Sequence, residues 1–244
     1  LGEKSSFYII YHGLKALKYI RNCDTLTDNY PDVEFCKGLF EYYISHYPAI
    51  IKSFSNLLLS NTGNRDTGIS RMDYAAGTQC FLKYDANYTL AFLYLFIENK
   101  PQKAIPYVDF LVQQFPKNSG YHFLATFTYL QLNDLEKARQ GFDAYEKSLH
   151  QPNLFFEEEF LKRRVFLTGM FALKNNNPEK AALNFREFVR DYDLELEHLL
   201  AIAWLELGKL AMNEGEQKKA RECFNRVIDI DNRTYPVELA KKLK

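Results

Sequence analysis

The chain has little that would commit it to a membrane, a metal or a nucleic acid. Its 244 residues hold 31 Lys+Arg and 31 Asp+Glu, so the formal net charge is zero. A protein that grips a phosphate backbone carries a cationic excess, and so does a polybasic membrane anchor. Neither is expected here. No apolar run approaches the roughly 18–20 residues that cross a bilayer, and the stretch from Leu90 to Ile97 is short and aromatic-rich, as a buried helix is. No signal peptide pattern is visible. The chain begins with Leu1 rather than Met, so a removed leader remains an expectation. Cytoplasmic and periplasmic placements both fit.

Cysteine is scarce as well. The four are Cys23, Cys36, Cys80 and Cys223, with no CxxC spacing and no histidine at metal-site spacing from them. Free thiols on half-buried helices are the expectation, and a Cys23–Cys36 bridge is the one pairing to check. The five histidines, His12, His46, His122, His150 and His198, are scattered. There is no GxSxG, HExxH, Walker-type loop or GxGxxG. No catalytic residue, metal site or cofactor is therefore expected, and the chain reads as a non-enzyme. Glu157-Glu158-Glu159 followed by Lys162-Arg163-Arg164 reads as helix-dipole and i,i+4 pairing rather than as a site. Asn87-Tyr88-Thr89 and Asn232-Arg233-Thr234 match the glycosylation acceptor pattern, which carries weight only in a secreted eukaryotic chain.

Helical periodicity is what the sequence has in quantity. Phe7, Ile10, Leu14 and Leu17 share one face of a helix over Ser5 to Ile20. A loop runs to Pro31, and Asp32 is placed to cap a second helix bearing Phe35, Leu39, Tyr42 and Tyr43. Pro48 kinks or ends it, and Ile50 to Leu58 continue the stripe. A third helix starts near Thr67, capped by Asp66, and runs to about Phe81. The β-branched clusters never alternate cleanly, so no strand is expected.

From Tyr88 on, helices and turns recur. Ala104, Ala138, Ala181 and Ala220 stand at intervals of 34, 43 and 39 residues. Each has a bulky residue four positions on (Val108, Phe142, Phe185, Phe224) and another three beyond (Leu111, Tyr145, Phe188, Val227). Gly68, Met72 and Ala75 echo the pattern weakly, 36 residues before Ala104. Periods of this size mark repeat architectures. The last unit, Ala201 to Asn232, states the motif most fully: Trp204, Leu207, Gly208, Ala211, a Glu214-Gly215-Glu216 turn, then Ala220, Phe224 and Val227.

These residues resemble the tetratricopeptide repeat, a pair of antiparallel helices. The likeness is good from about Tyr88 to Asn232 and loose from Asp32 to Tyr84. Phe92 stands where the family prefers Gly or Ala, and Asn232 where it usually has Pro. The segment GLFEYYISHYP is similar to the front of some bacterial multi-repeat proteins. The resemblance implies an all-α fold, a right-handed α-α superhelix of stacked helix pairs forming a tetratricopeptide-like solenoid. It also implies one domain over 1–244, with divergent helices over 1–84, repeats over 85–117, 119–150, 155–193 and 201–232, and a capping helix over 235–244.

In that family the concave groove is lined by the first helix of each pair. The alanine register then assigns it Leu93 and Phe96, Phe123 and Phe127, Arg163, Phe166 and Met170, and Leu205 and Lys209. The family's clamp for a C-terminal carboxylate is largely missing. Two readings follow. In one the apolar, aromatic groove receives a protein or peptide partner, with Arg163 and Lys209 as polar anchors. In the other the face is filled by the chain's own N-terminal helices, and the array is a structural or self-associating subunit of the lipoprotein type. Its contacts would then fall on the last helix at Val237, Leu239 and Leu243. The sequence leaves the oligomeric state open.

Overall fold

A computed structural model describes residue 15 and residues 30–45, 64–149, 157–190, 196–230 and 233–244. The helix expected over Ser5 to Ile20, save for Lys15, lies outside these residues. So do Cys23, the Pro48 kink, the Ile50–Leu58 stripe and Asn232. Among the described residues every regular element is helical, and the fold is all-α. The helices are α1 (Pro31–Ser45), α2 (Arg65–Gly77), α3 (Lys83–Phe92), α4 (Pro101–Gln114), α5 (Ser119–Gln131), α6 (Leu135–Leu149), α7 (Glu157–Lys174), α8 (Pro178–Val189), α9 (Glu197–Asn213), α10 (Gln217–Asp229) and α11 (Tyr235–Leu243). A five-residue π turn, Leu93–Ile97, continues α3. The chain divides into two compact units, 1–90 and 91–244.

In the first unit α1 packs on α2. The crossing is set by two glycines. A Cβ on Gly38 would lie 2.6 Å from the Gly68 carbonyl oxygen, and one on Gly68 would lie 2.7 Å from the Gly38 oxygen. The backbones themselves are in contact, with Tyr42 and Met72 fully buried beside them. Along the edge of the crossing Glu34 pairs with Arg71 and, at 3.2 Å, with Lys37; Arg71 also faces Glu41 at 3.3 Å. Burial pushes the Glu41 carboxyl up, and Arg71 opposes that shift. The caps differ from expectation. Asn64, not Asp66, caps α2: its side-chain oxygen accepts from the Asp66 and Thr67 amides at 2.9 and 3.1 Å. Asp32 lies inside the first turn of α1, and its carboxylate accepts from the Leu82 amide at 2.6 Å. The α2 helix stops at Gly77, four residues before the expected end. The side chain of Asn87 is buried, and its amide donates to the Ala76 and Lys83 carbonyls. That acceptor motif is therefore part of the packing, not an open attachment point.

The second unit is a stack. Each helix from α4 to α11 packs on the next, and α7 on α5 and α11 on α9 complete a neighbour-to-neighbour array. Stacking of this kind lets pairs that cannot bury an apolar face alone share one core. Four turns are built alike. Asn99, Asn133, Asn176 and Gly215 have positive φ of 50, 61, 53 and 78°, the left-handed residue that ends a helix. They recur at the alanine intervals, and each stands five residues before its alanine. In three turns an amide reaches back five residues at 2.9 Å: Asp134 to Tyr129, Asn177 to Ala172, and Glu216 to Ala211. In the first turn Lys100 reaches back six, to Tyr94, at 2.7 Å. One residue is therefore extra there, and the π turn absorbs it through the 2.8 Å bond from the Glu98 amide to Leu93.

The tight seam within each pair follows the alanine register, with one exchange. A Cβ on Gly169 would meet the Phe185 ring at 2.8 Å, and one on Gly208 would meet the Phe224 ring at 2.5 Å. In the α5–α6 pair the small residue sits on the other helix: Thr126 takes the glycine position, and Gly141 of α6 makes room for its hydroxyl. The last helix is a cap. Val237 and Ala240 are buried in a cluster with Leu205, Phe224 and Val227, and Leu239 and Leu243 pack against it. Val237 is thus turned inward, away from the exposed role expected for a self-associating end.

Candidate functional site

The first helices of the second unit bring most of the expected groove residues together, but as a packed seam. Phe96 stacks on Phe127, with ring centroids 5.3 Å apart and planes 9° from parallel. Phe127 stacks on Phe123 at 6.3 Å, and both meet Phe166 at 5.7 and 6.3 Å. Phe166 continues to Phe188 at 5.4 Å. All four expected phenylalanines are buried, as are Leu93 and Met170. Leu205 is buried elsewhere, in the terminal cluster with Phe224 and Val237. Ring contacts of this geometry add about 0.5–1.5 kcal/mol each beyond their burial, so this seam is core in its energetics.

Only the two cations of the expected set escape full burial. Arg163 lies over the Phe123 and Phe160 rings at 5.1 and 5.6 Å and pairs with Glu159 one turn earlier. The Lys209 ammonium pairs with Glu206 at 2.6 Å. Both are partly exposed.

Two contacts join first helices of distant pairs, and the sequence reading missed both. The His198 ring, at the start of α9, stands edge-on to Phe92 at 5.1 Å and to Phe96 at 4.5 Å. Burial holds its pKa well below the ordinary imidazole value, and Arg163 pushes the same way. The ring is therefore neutral at neutral pH. The second contact joins α11 to α5: the Gln131 amide donates to the Tyr235 hydroxyl at 3.3 Å, across 104 residues of sequence. Both link the first helix of one pair to a first helix three pairs later, with α11 taken as the opening helix of a fifth, unfinished pair. Phe92 had left a signal. A phenylalanine at the small position of a tight seam cannot fit unless the register shifts. The π turn supplies the shift: with one residue extra, Ala91, fully buried, takes the small position, and Phe92 swings toward His198.

Trp204 has another place. It floors an outer cleft of about 440 Å³ beside Ala182, Leu207 and Cys223, and the Arg226 guanidinium lies 5.9 Å over its ring. Cys80 and Cys223 are free thiols, and burial raises the pKa of both, which makes them less reactive. Among the described residues no group of His, Cys, Asp and Glu is arranged to hold a metal ion. No helix among them is long and apolar enough to cross a membrane.

A stack of antiparallel helix pairs with left-handed turn residues at matching positions defines a helical-repeat protein. Residues 201–234 match the tetratricopeptide repeat family model. With the all-α stack around them, they support a tetratricopeptide-type repeat protein. No curated protein matches the chain.

Proposed function

We propose that the chain is a non-enzymatic scaffold that binds a protein or peptide segment across the first-helix face of residues 91–244. Tetratricopeptide repeats generally mediate protein–protein interaction, and the matched repeat at 201–234 brings that role to this chain. The observation that carries the site is that Arg163 and Lys209 stay partly exposed where the other expected groove residues are buried. The buried rings shape and stiffen that face. Contact with a partner falls on Arg163 and Lys209, and is more polar than an open apolar groove would give.

The test is panning of a phage-displayed random peptide library against the purified chain. Carrying Arg163→Glu and Lys209→Glu together should weaken the selected peptides at least ~10-fold, the scale of one or two anchor contacts, with helicity unchanged. Undiminished binding in that double variant would remove the site from this face. Phe127→Glu should instead unfold the unit, because it places a charge in the seam.

The burial of Phe96, Phe123, Phe127 and Phe166 favours a second reading, in which the array is a structural or assembly module and the seam is simply its core. Sedimentation equilibrium separates the two. Self-association supports the second reading, and a monomer at all concentrations counts against it.

A further inference from the structure

We propose that the outer cleft floored by Trp204 is a second docking surface, which takes from a partner protein an aromatic side chain with one carboxylate beside it. The cleft lies among α8, α9 and α10, and neither Arg163 nor Lys209 lines it. The repeat register shows what is missing there. Tyr129 of α5 stands nine residues before Ala138 and reaches the preceding helix, where its hydroxyl donates to Asp109 of α4 at 2.7 Å. Asp109 stands five residues after Ala104. In the last repeat the residue nine before Ala220 is Ala211, and the residue five after Ala181 is Arg186. The intervening set has Ala172 and Asp143 at these positions, so the acid gives way to a base only at Arg186. Ala211 and Arg186 both line the cleft, whose volume is about 440 Å³. The space that Tyr129 fills from within is thus open to a ring from outside, and Trp204 offers that ring an aromatic surface.

The charge of the partner follows from the two arginines. Arg186 and Arg226 are exposed, and among the described residues neither side chain forms a salt bridge. The Arg226 guanidinium lies 5.9 Å over the Trp204 ring. Burial and Glu222 raise the pKa of the Cys223 thiol, and Arg186 and Arg226 both oppose that rise, so the two cations converge on one part of the cleft. A carboxylate there gains charge-assisted hydrogen bonds. Acids also line the cleft, and they limit the partner. Glu216 holds Lys219 at 2.6 Å, Glu214 lies in the turn before α10, and Asp229 is the last residue of that helix. A run of carboxylates would be repelled by them. One carboxylate next to an aromatic ring meets the arginines without meeting both acidic ends.

The chain has one tryptophan, so selectively excited indole emission reports on this cleft. The full chain is titrated with the blocked dipeptide Phe-Glu and, as controls, Phe-Gln and Ala-Glu. A saturable change at Trp204 with Phe-Glu, at least ~5-fold weaker with either control, supports the site; that factor is the scale of one charge-assisted contact. Arg186→Gln should weaken Phe-Glu by a similar factor and leave Phe-Gln unchanged, which a merely structural role for Arg186 would not do. Ala211→Tyr, which restores the ring that α5 carries, should abolish the response with helicity intact; if that variant does not fold, Arg186→Gln decides. No response to Phe-Glu, or equal responses to Phe-Glu and Phe-Gln, overturns the proposal. So does undiminished binding in folded Ala211→Tyr. The Arg163→Glu/Lys209→Glu variant should respond as wild type does, and loss of the Trp204 signal there would assign the peptide to the first-helix face instead.

Discussion

Two glycine-mediated helix crossings in this chain look alike in sequence and differ in kind. Between α1 and α2, Gly38 faces Gly68, and the atom that a new Cβ would strike is a backbone oxygen on either side. Between α9 and α10, Gly208 faces the Phe224 ring. The first crossing is backbone on backbone, and its spacing can change only if a whole helix moves. The second is backbone on side chain, and its spacing is set by the size of one replaceable residue. The α5–α6 pair shows the second kind already varied, with threonine and glycine exchanged across the seam at Thr126 and Gly141. The repeat seam is thus a matched pair of sizes that substitution can rebalance, whereas the Gly38–Gly68 crossing has no partner to shrink.

The sharpest break of that comparison is Gly68→Ala. Its methyl group would meet the Gly38 oxygen and the Tyr42 nitrogen, both at 2.7 Å. Overpacking costs typically ~1–3 kcal/mol and more where nothing can yield. We expect ~3 kcal/mol or more by urea unfolding, with no single side-chain truncation able to restore it. A cost below ~1 kcal/mol would mean that the crossing slides freely, and that the two crossings do not differ in kind. Gly208→Ala should cost less, ~2 kcal/mol, and should be rescued. Truncating the opposed ring in Gly208→Ala/Phe224→Leu should return ~1 kcal/mol relative to the two costs added, a coupling typical of residues in contact. Strict additivity would show that the ring is not what the methyl group meets.

The repeats were legible because their physics is local. Asn99, Asn133, Asn176 and Gly215 sit in turns whose residue types tolerate positive φ, and the alanines five residues on mark where two helices approach most closely. Both signals survive without knowledge of any partner surface. The groove was not legible for the opposite reason. Whether Phe127 or Phe166 faces solvent depends on whether first helices three pairs apart meet, and that depends on small rotations summed over the stack. His198 and Tyr235, which make those contacts, carry no periodic mark. The register of the first pair was misread for a simpler reason: the alanine spacing does not show the extra residue in the π turn, and only the misfit of Phe92 did. The caps of α2 went to Asn64 rather than Asp66 because two neighbouring residues could both serve.

The smallest expected effect tests the turn rather than the seam. A Cβ on Gly215 would meet nothing within 4 Å, yet its φ is +78°. The cost of Gly215→Ala is then purely one of backbone conformation, ~1 kcal/mol for an alanine held in the left-handed region. Gly215→Asn should recover most of it, because asparagine enters that region readily and occupies the same turn position in the three preceding pairs. Thermal unfolding of the two variants measures the difference. If alanine and asparagine prove equal at 215, the shared φ of the four turns does not set their stability, and their matching residues would need another explanation.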